Sequence, residues 1–458
     1  MLRIAAKPCV WSYPMAVLML CWPAIWNGYP IVFADTGTYL SQAIHHYAGW
    51  DRPIFYSLFM LPLHATVTTW PVVIVQALLT AWVLHLVCRV LVPDLTTLAF
   101  VAVVAGLSLG TWLPWMVCEL MPDVFTPLLP LVLCVLALAP QRVSGRERVV
   151  LAALGAFMIA SQLSSLLLWC GLALLLGGLR CRCQQSRGWP VQDRPRHRTK
   201  PDADFAKFTS LMPPALAVLA LCTVNFAAHG RFAVAPFGNV FLLARVIYDG
   251  PGIAVLQRDC PAAGWSLCPF LDRFPPASDD FLWTVDSPLY LAGGAKSVSR
   301  DAGAITVAAV MSDPAGVARA ALANTLEQIS RFDSGDGLQP WPNLVTPWID
   351  RDFPPAEQAA YASALQQRGL LTVPPLLAML HRATAIAGIA ACLLLLPIAM
   401  RRRAACTGFL AAVLIAVPLS AAITGAFSTP HDRYQSRIMW LPPFLAAVSC
   451  ASMRRRTT

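Results

Sequence analysis

Val73-Ile-Val-Gln-Ala-Leu-Leu-Thr-Ala-Trp-Val-Leu-His-Leu-Val87 runs for fifteen residues without an aspartate, glutamate, lysine or arginine. Leu98–Leu107, Phe125–Ala139 and Ile386–Met400 repeat the pattern. The 458-residue chain is 57% hydrophobic and only 13% charged, with a mean hydropathy of +0.59. A water-soluble core cannot hide that much apolar surface, so a bilayer must act as solvent. An ionisable group close to such a membrane is costly to keep, and so is a functional candidate.

The net charge of +10 does not point to nucleic acid, because of where it sits. Arginines gather at Arg142, Arg146 and Arg148, from Arg180 to Lys200, at Arg401–Arg403 and at Arg454–Arg456. Each cluster follows an apolar segment, as cytoplasmic loops do under the positive-inside bias. Most cysteines, such as Cys21, Cys88, Cys134, Cys170, Cys222 and Cys392, lie in apolar segments and read as small hydrophobes. Arg3 and Lys7 precede the first apolar run, and Trp26-Asn-Gly-Tyr-Pro30 after it favours a retained helix over a cleaved leader.

At roughly 20 apolar residues per crossing, the chain reads as an all-α polytopic membrane protein with about ten spans. These are 10–27, 71–91, 96–115, 120–139, 149–164, 165–180, 209–227, 373–399, 404–424 and 437–453. The stretch 149–180 is taken as two helices turning near Ser161–Ser165, because arginine clusters on both sides require an even number of crossings. Both termini are then cytoplasmic, in the inner (plasma) membrane of the cell. Five parts follow: an N-terminal transmembrane module 1–180, an Arg-rich cytoplasmic linker 181–208, a helix 209–227, an extracytoplasmic domain 228–372 and C-terminal helices 373–458. The domain 228–372 holds no apolar run long enough to span, and its helices are expected at Ala302–Ser312, Pro314–Phe332 and Ala356–Gly369. Cys181, Cys183 and His197 in the linker match no zinc spacing.

Four loops share the outer side in this topology: 28–70, 112–123, 228–372 and 425–436. Asp35, in Phe33-Ala-Asp-Thr-Gly-Thr-Tyr-Leu40, heads a helix over 36–48 with apolar residues at helical spacing, expected to lie on the membrane face. The ordinary role for Asp35 or Thr36 there is a helix cap. Asp123, in Met121-Pro-Asp-Val-Phe-Thr-Pro127, starts a later helix at the same depth, with Glu119 nearby; a helix-start carboxylate is again the ordinary role. Two carboxylates at one rim are suited to orient an acceptor hydroxyl and remove its proton. In Pro430-His-Asp-Arg-Tyr-Gln-Ser-Arg437, Arg433 and Arg437 are four apart and share a helix face. Outer arginines run against the charge bias; they grip lipid headgroups or, as a fork, a phosphate. Arg52 either joins them or pairs with Asp51. His45, His46 and His64 are also outer, and His45 and His46, being adjacent, cannot line one site together. His85 is expected to bond a neighbouring helix. Cys260 and Cys268 are spaced to close a disulfide.

No Walker loop, dinucleotide glycine pattern or nucleophile elbow is present, and mid-helix charges are scarce. ATP-driven and ion-coupled transport lose support accordingly.

The layout resembles the GT-C class of polytopic glycosyltransferases, which take a sugar from a polyprenyl-phosphate carrier. The resemblance rests on Asp35 in Ala34-Asp-Thr-Gly-Thr-Tyr39, on Arg52-Pro-Ile-Phe-Tyr56, on Asp123 and on Arg433-Tyr434, over residues 10–180 and 425–453. The domain 228–372 has no counterpart in it. The resemblance implies inverting transfer, with Asp35 as base and Asp123 orienting the acceptor or helping to bind a divalent cation. Arg433 and Arg437, with Arg52, would hold the phosphate; Tyr56, His431 and Tyr434 complete the substrate-binding set. No other cofactor is implied. The partners would be a polyprenyl-phosphate-linked sugar, membrane lipid, and a glycan, lipid or protein acceptor. A lipid flippase and a non-enzymatic assembly factor are the alternatives.

Overall fold

The computed structural model describes residues 11–185, 200–335 and 337–454. From the N-terminal side come α1 (Ser12–Asn27), the short α2 (Thr36–Ile44) and α3 (Phe55–His64), α4 (Trp70–Leu91), α5 (Thr97–Gly110), the short α6 (Leu113–Cys118), α7 (Phe125–Leu138), α8 (Gly145–Ser161), α9 (Leu163–Gln185) and α10 (Lys200–His229). The middle carries α11 (Gly238–Tyr248), α12 (Pro251–Ala263), α13 (Ser278–Trp283), α14 (Pro288–Leu291), α15 (Gly294–Ser312), α16 (Pro314–Ser330), α17 (Pro342–Asp352) and α18 (Pro355–Ser363). The chain closes with α19 (Pro375–Arg401), α20 (Thr407–Phe427), α21 (Asp432–Ser436) and α22 (Leu441–Arg454). The described residues contain no strand, only an isolated parallel bridge between Ile31 and Glu119.

Each of the ten expected spans is helical over most of its length, but the helices are often shorter than the apolar runs. Among the described residues four helices are long and apolar enough to cross a membrane: α4, the Leu211–His229 part of α10, α19 and α20. The helix at 96–115 stops at Gly110 and restarts as α6, and the one at 120–139 begins with a 3-10 turn at Pro122. Two bent pairs, α11 with α12 (96°) and α15 with α16 (100°), pass the same test if each counts as one span, which gives up to six. Among the described residues no single helix within 228–372 is long and apolar enough by itself; only a bent pair taken as one span is. The stretch 149–180 is broken at Gln162, whose backbone is extended at φ −150°, ψ 118°. Ser144 and Glu147 form a capping box at the start of α8, and Glu147 also pairs with Arg89.

The expected linker 181–208 is largely helical where it is described, since α9 runs to Gln185 and α10 starts at Lys200. His197 lies outside the described residues. Most of the buried residues of 228–372 divide between two cores. Phe237, Val240, Leu243, Leu256, Phe281 and Ile305 belong to a second core built by α11–α15. Val345, Ile349, Phe353 and Tyr361 join the main core of α1, α4, α7 and α20. Of the helices expected here, α15 starts earlier than Ala302, α16 ends at Ser330, and α18 covers Pro355–Ser363.

The expected amphipathic surface helix 36–48 is corrected. α2 ends at Ile44 and is buried on nearly every side, including Thr36, Tyr39, Ser41 and Gln42. Two of its polar atoms are paired locally: Ser41 Oγ bonds the Tyr47 hydroxyl at 2.5 Å, and Gln42 Oε1 accepts from Gly49 N at 2.8 Å. α17 covers it so closely that a Cβ on Gly37 would collide with the Leu344 carbonyl and the Trp348 ring.

Candidate functional site

Extended backbone after α1 fixes the geometry. α1 ends with Gly28 in the left-handed region at φ 82°, turning the chain into 29–35. Ile31 N donates to Cys118 O at 2.9 Å, and Leu120 N donates to Ile31 O at 2.8 Å. Thr36 Oγ1 accepts from Phe33 N at 2.9 Å and donates to Leu120 O at 3.2 Å. Gln366 accepts from Val32 N and donates to Val32 O, at 2.9 and 2.7 Å. Gln76 on α4 donates to the carbonyls of Val117 and Glu119 at 2.9 and 3.0 Å. Buried peptide groups need such partners, and meeting that need brings the segments of Asp35 and Asp123 side by side.

Around them the cations close. Arg52 Nη2 lies 2.8 Å from Asp35 Oδ1, and Arg437 Nη1 lies 2.7 Å from Asp123 Oδ1. Arg433 Nη1 stands between the carboxylates, 3.6 Å from Asp123 Oδ2 and 4.0 Å from Asp35 Oδ2. Arg433 lies on α21 and Arg437 caps its end, so the four-residue spacing gives them one face. The Arg433 guanidinium lies over the Phe33 ring at 3.9 Å, and Tyr434 is 5.2 Å from both guanidinium carbons. Asp123 and Arg437 are almost wholly buried, whereas the Asp35 and Arg52 side chains are 16% and 20% exposed. The accessible edge is therefore Asp35 with Arg52. Arg433 Nε and Nη1, though buried, make no hydrogen bond.

Neither carboxylate caps its helix. Asp35 stands at the N-cap position of α2 but makes no capping bond, and no side-chain cap is made at the turn of Asp123. Both are spent on arginines. Arg52 bonds the Asp35 carboxylate and meets Asp51 through its carbonyl, at 3.3 Å.

The remaining expected residues are arranged differently. Tyr56 is fully buried; its hydroxyl bonds Gln76 Oε1 at 2.7 Å and its ring packs edge-on to Tyr39 at 5.0 Å. His431 Nε2 lies 3.1 Å from Asp279 Oδ2 on α13, and its ring edge meets Tyr434. Burial works against the ionised Asp279, but His431, the Thr429 hydroxyl and the Arg245 charge together outweigh it and hold the carboxyl below its ordinary range. Gln328 on α16 clasps the His431 backbone from both sides, at 2.8 and 3.0 Å. At the other end of α13, the Trp283 ring lies against the Arg52 guanidinium at 5.1 Å. One six-residue helix thus touches both cationic arms. Phe33, Gln76, Asp279 and Trp283 were not singled out from the sequence; only the Ser278-Asp-Asp280 helix start hinted at α13.

His45 binds Asp352 at 2.8 Å on the far side of α2, His64 is buried under Phe353, and His85 bonds the Tyr13 hydroxyl of α1 at 3.0 Å. None of them joins the cluster. Cys260 and Cys268 are disulfide-bonded, with Cα atoms 5.2 Å apart, within the second core. A cavity of about 300 Å³ lies beside Ser334, Gln339 and Thr372, and one of about 640 Å³ lies between the α11–α12 corner and α16. Neither is lined by the five clustered charges. A divalent cation does not fit the cluster: the space between its two carboxylates is taken by the Arg433 guanidinium. Among the described residues no group of three or more His, Cys, Asp or Glu side chains gathers elsewhere.

Compared with family models, with curated proteins and with solved structures, the chain has no match in any of the three.

Proposed function

We propose that this protein is a membrane glycosyltransferase of GT-C type, moving a sugar from a polyprenyl-phosphate carrier to an acceptor hydroxyl at the outer leaflet, with about ten apolar helices around the carrier's tail. One observation carries the reading. Asp35, Arg52, Asp123, Arg433 and Arg437 come from three widely separated stretches of chain and form a single cluster.

On this reading Asp35 is the general base, because its carboxylate is the more exposed and its Oδ2 is held only loosely, 4.0 Å from Arg433. Arg433 receives the phosphate oxygens through the donors that bond nothing else. Asp123 holds Arg437 and flanks Arg433, keeping their guanidiniums oriented. The acceptor oxygen gives its proton to Asp35 and bonds the anomeric carbon from the face opposite the carrier. The carbon–oxygen bond to phosphate breaks with its electron pair on the phosphate. The arginines stabilise that growing charge, which matters most in a dry setting. Inversion follows from single displacement.

Asp35→Asn tests the reading. Lipid-linked sugars and surface glycans are compared by mass spectrometry in cells making the wild-type or the variant chain. Loss of one glycan product, with the lipid-linked donor accumulating and the variant chain still in the membrane, is expected. An unchanged product profile removes Asp35 as base and the reading with it.

A further inference from the structure

Between Asp301 and Glu327 the only ionisable side chains are Asp313 and Arg319. This stretch is the second half of α15, the 100° corner and most of α16. One side of α15 is used, with Val298, Ala302, Ile305 and Ala309 in the second core. Its other side is apolar too, and Val307, Val310 and Met311 are exposed there. A helix that is apolar all round belongs in a protein interior or in lipid.

α16 repeats the anomaly beside a candidate span. It lies along α20 so tightly that a Cβ on Gly425 would strike the backbone of Asn324 and Thr325. Phe332, just past its end, packs with Ala385 of α19 and Val417 of α20. Yet Leu322, Leu326 and Ile329 are exposed at spacings of four and three, on a side other than that of Asn324 and Gln328. A helix lying along a span shares its depth, so its free flank meets the same medium. Asp313 and Arg319 lie with Asp249 along an open depression of about 640 Å³, and a long arginine side chain at the edge of an apolar flank can reach out to polar surroundings.

We infer that α15 and α16 form a re-entrant wedge seated in the bilayer hydrocarbon, with Val307, Val310, Met311, Leu322, Leu326 and Ile329 against acyl chains. The wedge stands apart from the proposed chemistry. Its consequence is local: the helix that clasps His431, two residues before Arg433, is itself lipid-bathed.

The test uses the full chain, purified and reconstituted in lipid nanodiscs. Cysteines are introduced by Leu322→Cys, by Leu326→Cys and, as an aqueous control, by Arg258→Cys. Labelling by a membrane-impermeant maleimide is corrected for the unsubstituted chain. Apolar surroundings raise a thiol's pKa and only the thiolate reacts, so positions 322 and 326 are expected to label at least about tenfold more slowly than 258. An environment-sensitive fluorophore attached at 326 in detergent, before reconstitution, is expected to be quenched by lipids brominated on their acyl chains. Equal labelling rates at all three positions would make the surface aqueous and overturn the inference. Protection without quenching would make it a contact with a second copy, and would overturn it equally.

Discussion

Arg437 is a guanidinium with almost no access to solvent, and Asp123 is its one close ionic partner, at 2.7 Å. Taking Asp123 away strands the buried Arg437 charge, which typically costs about 3–5 kcal/mol, and taking Arg437 away leaves Asp123 only its longer contact with Arg433. Arg433 is held at longer range, 3.6 and 4.0 Å from its two carboxylates. The two arginines should therefore separate in mutagenesis. Arg437→Ala is expected to lower thermal stability in detergent strongly. Arg433→Ala is expected to lower it less and to weaken binding of a polyprenyl-phosphate probe; equal effects of both on stability and on binding would contradict the division. His64 gives a pH dependence. Burial pushes its imidazole down to about 4, while Thr66 N donates to its Nδ1 at 3.0 Å. An unfolded chain binds a proton there below about 6.5 and the folded protein does not, so stability is complete above that pH and falls, by up to about 3 kcal/mol, as pH drops toward 4. Unfolding measured from pH 7 to 5 should lose part of this acid sensitivity in His64→Gln. The five clustered charges were legible in the sequence because an ionisable residue in an apolar chain stands out. Phe33, Asp279 and Trp283 were not, because aromatic and acidic residues are unremarkable in a loop until tertiary contact gives them a neighbour.

At the scale of the element, α2 shows where periodicity misleads. Tyr39, Leu40 and Ala43 were read as one face and the polar residues between them as the other. Both faces are buried, because Ser41 and Gln42 bond the turn that follows. A polar side chain can satisfy itself locally and still sit inside. Gly37 records how tightly α17 covers this helix. Gly37→Ala is expected to push α2 and α17 apart, costing about 1–3 kcal/mol as overpacking usually does, and to shift Asp35 from Arg52. A melting temperature equal to wild type would mean the cover is looser than described. Apolar runs located the long helices well, but not their ends: the chain breaks at Thr111, at Pro122 and at Gln162, where local backbone and proline geometry decide.

The described residues pack around two main centres, and a reading of 228–372 as a domain able to hold its own core does not foresee how its helices divide. Composition set 228–372 apart, yet its helices are shared: α11–α15 keep their own core, while α17 and α18 complete the main one. Segment composition reports solvent preference and says nothing of which neighbour a helix chooses. The Cys260–Cys268 bridge belongs to the second core alone. Cys268→Ser is expected to raise protease cutting within 237–309, with the helices of the main core protected as before. Cutting spread evenly through both would make the two cores one cooperative unit.

Helix α13 ties these scales together. Its Trp283 end rests on Arg52 and its Asp279 end on His431, so it straddles the cluster like a clasp. Moving the two arms apart would strain one or other of these end contacts, so the spacing of two distant stretches of chain is set in part by a piece of the middle third that carries none of the clustered charges.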